Sequence, residues 1–421
     1  MTRLRRLIAT ALVDSFGLSL GWTVFSLHVV RGHGLAGLGL CNAAMLIGVA
    51  LSAPVATRLS ARLDGRALLR VTCVTESGLR VGTFALLLTG APLPLVAAAV
   101  AVSNVVAWTG YAGMRAEVAA ADPRGAAMTW YMVAVAAIEA AGTATAALLP
   151  TGRQGLVSGG LLVGVIACYG GVLLPTWLVA AGARVPRALP VARSAPRLTH
   201  SFLRRVPRWG SVADRAEGRR RVSTAPRFGP LTGLLASGGL VMLLGSGPTL
   251  LAVGLAAELH GTRWVAGSAL AFALGSLLAP FAVARLERHA VPSSIAWPAL
   301  GVGMAAGWTF AAWHPLALLA AQLLSGMCMS ALEGDMDARV AASDASPRGV
   351  TANLATAAAL RAFGSAAAVA LTPRVVAETG IGWLGAALAT GLAALALSRL
   401  ARRWSRSAAG RVVGVAAARD L

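Results

Sequence analysis

The chain has 421 residues, of which 57% are hydrophobic and 13% charged, with a mean hydropathy of +0.71. Soluble domains carry roughly 25% charged residues, so this composition excludes both disorder and a water-soluble globule of this length. Every one of the 37 basic residues is arginine. Without lysine the chain has neither a P-loop lysine nor a Schiff-base nucleophile. The net charge of +21 would suggest nucleic acid in a soluble protein, but the placement of the arginines argues against it here.

A membrane helix needs about 20 mostly apolar residues, and windows of that length predict twelve spans. They cover residues 7–30, 35–56, 67–90, 93–114, 126–149, 155–181, 230–256, 263–285, 293–313, 315–338, 349–373 and 380–398. The N-terminal Met1-Thr-Arg-Leu-Arg-Arg run imitates a signal peptide, but the apolar stretch contains Asp14, continues to Val30 and shows no convincing cleavage site. It reads as span 1. The polar, Pro/Arg-rich segment 182–228 divides the twelve spans into six and six. The expected organisation is an N-terminal six-helix bundle (1–181), a basic cytoplasmic linker (182–228), a C-terminal six-helix bundle (229–398) and a basic cytoplasmic tail (399–421).

If the N-terminus is inside, thirty-one arginines fall in inner segments. Four lie in outer loops: Arg31, Arg153, Arg263 and Arg374. The positive-inside rule then places both termini in the cytoplasm of a plasma-membrane protein. Twelve arginines crowd the linker against only Asp214 and Glu217, a pattern suited to anionic lipid headgroups rather than nucleic acid. Cys41, Cys73, Cys168 and Cys328 are scattered through apolar stretches and read as packing residues. The histidines have no metal-ligand spacing, so no metal or cofactor is expected.

The two halves repeat. Span 2 ends Leu51-Ser-Ala-Pro54-Val-Ala56, and span 8 ends Leu277-Leu-Ala-Pro280-Phe-Ala282. The loop Arg115-Ala-Glu-Val-Ala-Ala-Ala-Asp-Pro123-Arg124-Gly125 matches Arg339-Val-Ala-Ala-Ser-Asp-Ala-Ser-Pro347-Arg348-Gly349 at an offset of 224 residues. A six-plus-six parallel repeat places a binding site between halves near the bilayer midplane.

On these features the chain resembles the major facilitator superfamily over essentially its whole length. Span 1, Leu12-Val-Asp14-Ser-Phe-Gly17-Leu-Ser-Leu-Gly21, is similar to the Asp-containing first helix of the drug-exporter-like branches. The signature after span 2 is represented by Pro54-Val-Ala-Thr57-Arg-Leu59-Ser-Ala61-Arg62-Leu-Asp64-Gly65-Arg66, with Thr57 and Ala61 replacing its Gly and Asp. Its second copy, Pro280-Phe-Ala-Val283-Ala-Arg-Leu-Glu287-Arg288, keeps an acid and an arginine. The resemblance implies an all-α polytopic fold of twelve transmembrane helices in two pseudo-symmetric halves. It also implies gating roles for Arg62, Glu287 and Arg288, and export of a small-molecule cargo.

Buried charges mark candidate sites, because each costs about 2.5–3.5 kcal/mol at mid-membrane. Asp14 lies roughly 10 Å inside span 1 at about 1.5 Å per residue. Glu139 and Arg361 lie near mid-depth in spans 5 and 11, and are repeat equivalents. Asp14 and Glu139 are candidate proton carriers, while Arg361 could attract an anionic group or alter an acid's protonation. Glu76 and Arg80 have i, i+4 spacing, which suits a structural pair. In Glu333-Gly-Asp335-Met-Asp337-Ala-Arg339, Asp335 can pair with Arg339, while Glu333 and Asp337 share a face and repel. This cluster is a gating or coupling candidate. Trp22, Trp108 and Trp308 read as packing residues.

The expected function is proton-coupled efflux of small amphipathic molecules by a monomer. Uptake of a small solute is the alternative. A membrane-embedded lipid-modifying enzyme, which would need a polar catalytic cluster at one membrane face, and a non-transporting assembly partner are the readings from other classes.

Overall fold

A computed structural model describes residues 3–121, 126–152, 155–183, 185, 230–289, 291–342 and 347–417. Among these residues every regular element is a helix. Helix α1 (Arg3–Ser60) carries spans 1 and 2, and the chain reverses at Gly34, whose φ of 65° lies in the left-handed region that favours glycine. Spans 3, 4 and 5 are α2 (Gly65–Leu88), α3 (Leu93–Ala121) and α4 (Ala126–Leu148). Span 6 is broken into α5 (Gly159–Gly171), α6 (Leu174–Val179) and a 3-10 turn, Ala180–Gly182.

In the second half, span 7 is interrupted twice, as α7 (Pro230–Gly245), α8 (Gly247–Leu250) and α9 (Ala252–His260). Span 8 is α10 (Arg263–Arg288), and span 9 is α11 (Ser293–Ala306) with the 3-10 turn Gly307–Thr309. Spans 10, 11 and 12 are α12 (Pro315–Ala342), α13 (Pro347–Thr379) and α14 (Ile381–Ala417). Helix α14 runs on through most of the segment read as a tail. The linker 182–228 lies almost wholly outside the described residues, as do Pro123, Arg124 and Gly125 of the first repeated loop.

Seven described helices are long and apolar enough to cross a membrane. Because α1 holds two spans, they account for eight of the twelve. Spans 5 and 7 contain the shorter apolar helices Ala134–Leu148 and Leu235–Gly245. Span 9 is shortened by its 3-10 turn, and span 11 is long but carries Arg361 and Arg374. The exposed Trp313 and Trp383 follow the ends of spans 9 and 11, at the depth where an aromatic belt is expected.

The internal repeat is visible in the packing. Gly142 of span 5 lies against the Phe16 carbonyl of span 1, and Gly364 of span 11 against the Gly239 carbonyl of span 7. The two glycines are 222 residues apart and their partners 223 apart. Span 2 approaches span 4 through Gly48 at the Ala101 carbonyl. Span 8 approaches span 10 through Gly275 at the Leu323 carbonyl and Gly326 at the Phe272 carbonyl. Glycine is needed at these crossings because a Cβ would run into backbone.

The apolar core is organised by membrane level. At the end remote from the termini, one cluster includes residues of both halves, among them Leu20, Val29, Phe84, Leu251, Leu255, Trp308 and Val369. Gly39 sits beneath the Val369 carbonyl there, and Asn42 Nδ2 donates to the Leu250 carbonyl at 2.9 Å across the halves. At the terminal end the cores are separate, with Leu7, Leu69 and Val118 in one half and Val241, Trp297 and Met336 in the other.

Candidate transport site

Spans 1, 5, 7, 8 and 10 line a partly open cavity of about 260 Å³ at the edge of the shared core, whose Val265 is in its wall. Glu139 and Ser19 line it from the first half. Thr249, Ser268, Phe272 and Gln322 line it from the second. Among the described residues, Glu139 is the one ionisable side chain in this wall. Gln322 is 1% exposed and its Nε2 has no partner among the described residues; the buried Thr249 hydroxyl also lacks one. A buried amide without a hydrogen bond costs several kcal/mol unless something satisfies it. These two groups therefore point to a polar handle on an occupant, with Phe272 and the aliphatic wall left for its apolar part.

Asp14 does not line this cavity, although it is close enough to interact electrostatically with Glu139. It faces a smaller chamber inside the first half. There Arg80, 1% exposed, donates from Nη1 to Asp14 Oδ1 at 2.8 Å and from Nη2 to Glu76. Arg80 also donates to the Tyr169 carbonyl at 3.1 Å and packs over that ring. The expected Glu76–Arg80 pair is therefore present, but it is part of a three-residue network. The Asp14 connection spans 66 residues and could not be read from helical spacing.

Arg361 is found in a second network. Its Nη1 is 2.6 Å from Asp337 Oδ1, joining span 11 to span 10, and Glu333 is close enough to feel both charges. Of the two acids on one face of span 10, Asp337 pairs with the guanidinium of the neighbouring helix, and Glu333 feels that charge without bonding to it. Asp335 accepts from Arg339 Nε at 2.7 Å and from the buried Trp297 Nε1 at 2.7 Å, both at Oδ2. Glu139 and Arg361, although repeat equivalents, are used differently: one lines the inter-half cavity and the other ties two spans of one half.

Arg62, Glu287 and Arg288 are exposed at the terminal end, and no side-chain hydrogen bond or ion pair joins them to another described residue. A different acid, Glu117, ties the first half together at this level. Its side chain is fully buried; it accepts from Arg3 and, at 2.8 Å, from the Val185 amide. The Val185 carbonyl in turn accepts from the Gly65 amide at 3.0 Å. Glu117 looked like an ordinary loop residue in the sequence. Gln322 was equally quiet, although an isolated amide in Leu318–Leu324 was the available signal. Trp308 is fully buried, Trp22 stacks on Phe25 and Trp108 meets Tyr111 edge-on, so none of the three lines the cavity.

No protein-family profile and no curated protein sequence matches the chain. Solved structures do match its shape. A point mutant of the nucleoside transporter NupG aligns with a TM-score of 0.65 at 10% identity, covering 95% of this chain and 99% of that one. A bacterial homologue of the iron transporter ferroportin in an inward-facing state gives 0.63 at 13%, covering 94% and 98%. The xylose transporter XylE from E. coli, inward open, gives 0.61 at 14%, covering 93% and 94%.

The fold is the major facilitator fold. With it, the chain is an all-α polytopic membrane protein of twelve membrane spans in two pseudo-symmetric halves. At these identities the likeness concerns the architecture, and the drug-exporter-like branch suggested by span 1 has no counterpart among these matches.

Proposed function

We propose that the chain is a secondary active transporter that exports small amphipathic molecules from the cytoplasm in exchange for protons, by alternating access. The observation carrying this reading is the inter-half cavity containing Glu139, Gln322 and Thr249. A carrier needs its site where two halves can part on either side, and this cavity is lined by both halves, which share one apolar core at the end remote from the termini and have separate cores at the other end. With the arginine distribution placing the termini inside the plasma membrane, this arrangement corresponds to an inward-open state that loads cargo from the cytoplasm. Arg361, Asp337 and Glu333 would regulate the packing of spans 10 and 11 during closure. The linker would rest on anionic headgroups.

Glu139 suits the coupling role because it is the ionisable group that cargo would meet. Protonation removes its charge before the halves close around it, sparing the cost of carrying a carboxylate through the low-dielectric midplane. In proteoliposomes, Glu139→Gln should abolish pH-driven transport while counterflow survives, since exchange needs no net proton movement. Loss of both modes in a folded variant would remove Glu139 from the coupling role. The second reading, proton-coupled uptake of a polar solute, is favoured by the unpartnered Gln322 amide and Thr249 hydroxyl. Lower dye accumulation on expression, restored by an uncoupler, supports export; higher accumulation of a polar nutrient supports uptake.

A further inference from the structure

The chamber beside Asp14 has features the cargo cavity does not explain. It measures about 40 Å³, lies among spans 1, 3, 4 and 6 of the first half, and is bounded by Asp14, Glu76, Ser15, Thr72, Cys73 and Thr176. A water needs roughly 10–15 Å³ of such space, so the chamber holds more than a proton requires. Arg80 engages one oxygen of each carboxylate, Asp14 Oδ1 and Glu76 Oε1. The second oxygen of Glu76 points toward Gly110, another wall residue.

Two hydroxyls complete the set. Thr176 is 5% exposed and its Oγ1, in the chamber wall, has no partner among the described residues. Thr72 donates its hydroxyl proton to the Leu68 carbonyl at 2.9 Å or the Leu69 carbonyl at 3.1 Å, leaving oxygen lone pairs available. When Asp14 and Glu76 are both ionised, two carboxylates face one guanidinium and one negative charge is in excess, which a proton on Glu76 or a monovalent cation would cancel. A divalent ion would overshoot it, and the donors are hard oxygens of the kind that take unpolarisable cations. An uncompensated charge is costly here chiefly at the buried Glu76.

We propose that this chamber is a monovalent-cation site that binds Na⁺ between Asp14, Glu76, Thr72 and Thr176, separate from the cargo cavity. Arg80 limits the site to one positive charge and holds both carboxylates in place. Because the ion bridges spans 1, 3 and 6, its binding stiffens the first half without touching cargo. This inference rests on the chamber alone and does not require the export reading.

The test is a thermal-unfolding titration of the purified full-length protein in detergent, with NaCl replacing KCl at constant ionic strength, alongside radiolabelled sodium binding. The wild type should show a saturable, Na⁺-specific rise in unfolding temperature. Thr176→Val, which keeps the shape and removes the orphaned oxygen, should weaken the apparent Na⁺ affinity about tenfold. Asp14→Asn should weaken it further; if that variant does not fold, Thr176→Val still decides. Equal responses to Na⁺ and K⁺ in the wild type, or an undiminished Na⁺ response in Thr176→Val, would overturn the site. Cargo counterflow in sodium-free buffer separates the two readings: its persistence with no Na⁺ response sinks the ion site and leaves transport standing.

Discussion

Arg80 Nη1 donates to Asp14 Oδ1 at 2.8 Å, so a guanidinium on span 3 holds a carboxylate on span 1 while its other nitrogen holds Glu76. Removing the cation leaves the buried Glu76 carboxylate facing the half-buried Asp14. Arg80→Met should therefore destabilise the protein by about 3–5 kcal/mol, the usual cost of stranding a buried charge. Arg80→Met combined with Glu76→Gln should recover part of that loss. Unfolding midpoints in detergent check both, and equal midpoints for wild type and Arg80→Met would show that the network adds no stability.

Gln322 offers a separate test of the cargo cavity. Gln322→Leu keeps the bulk and deletes the unpartnered amide. It should weaken cargo binding by roughly one hydrogen bond, about 0.5–1.5 kcal/mol, or up to about tenfold in Kd. Stability should hold or rise, because a buried unsatisfied group is lost. Unchanged cargo affinity together with unchanged stability would take Gln322 out of the site.

The paired glycines predict a symmetric sensitivity. Gly142→Leu and Gly364→Leu each drive a side chain into a neighbouring carbonyl, and each should cost about 1–3 kcal/mol or more by overpacking. Gly160→Leu, in open space on span 6, should be close to neutral. Folded yield and unfolding midpoint measure all three, and a tolerated Gly364→Leu would argue against the close crossing of spans 7 and 11.

Arg361 and Asp337 join spans 11 and 10 at 2.6 Å. If this pair opens and closes with the halves, Asp337→Asn should alter the transport rate more than cargo affinity, and Arg361→Lys should retain more activity than Arg361→Gln. A purely structural pair would instead change folded yield and leave the rate per folded molecule untouched.

Topology can be checked without transport. A cysteine placed in segment 182–228 should resist an externally added membrane-impermeant thiol reagent in intact cells, and a reporter fused after Leu421 should read cytoplasmic. External labelling of the linker would reverse the orientation taken from the arginines.

Composition and periodic hydropathy determined the membrane setting, the twelve spans and the six-plus-six division, because each span must bury its own backbone in lipid and so announces itself locally. The repeat was readable for the same reason: Pro54 and Pro280 mark equivalent helix ends within short segments. Local spacing also revealed Glu76–Arg80 and Asp335–Arg339, which are one helical turn apart. Only the tertiary structure decided that Arg80 reaches Asp14, that Arg361 answers Asp337, and that Glu117 binds Arg3 across 114 residues. It alone placed Glu139 opposite Gln322 and Asp14 outside that cavity. Depth within a span is a property of the sequence, but the direction in which a side chain points between helices depends on how the spans cross. Those crossings are set by glycine-to-carbonyl contacts between residues far apart in the chain.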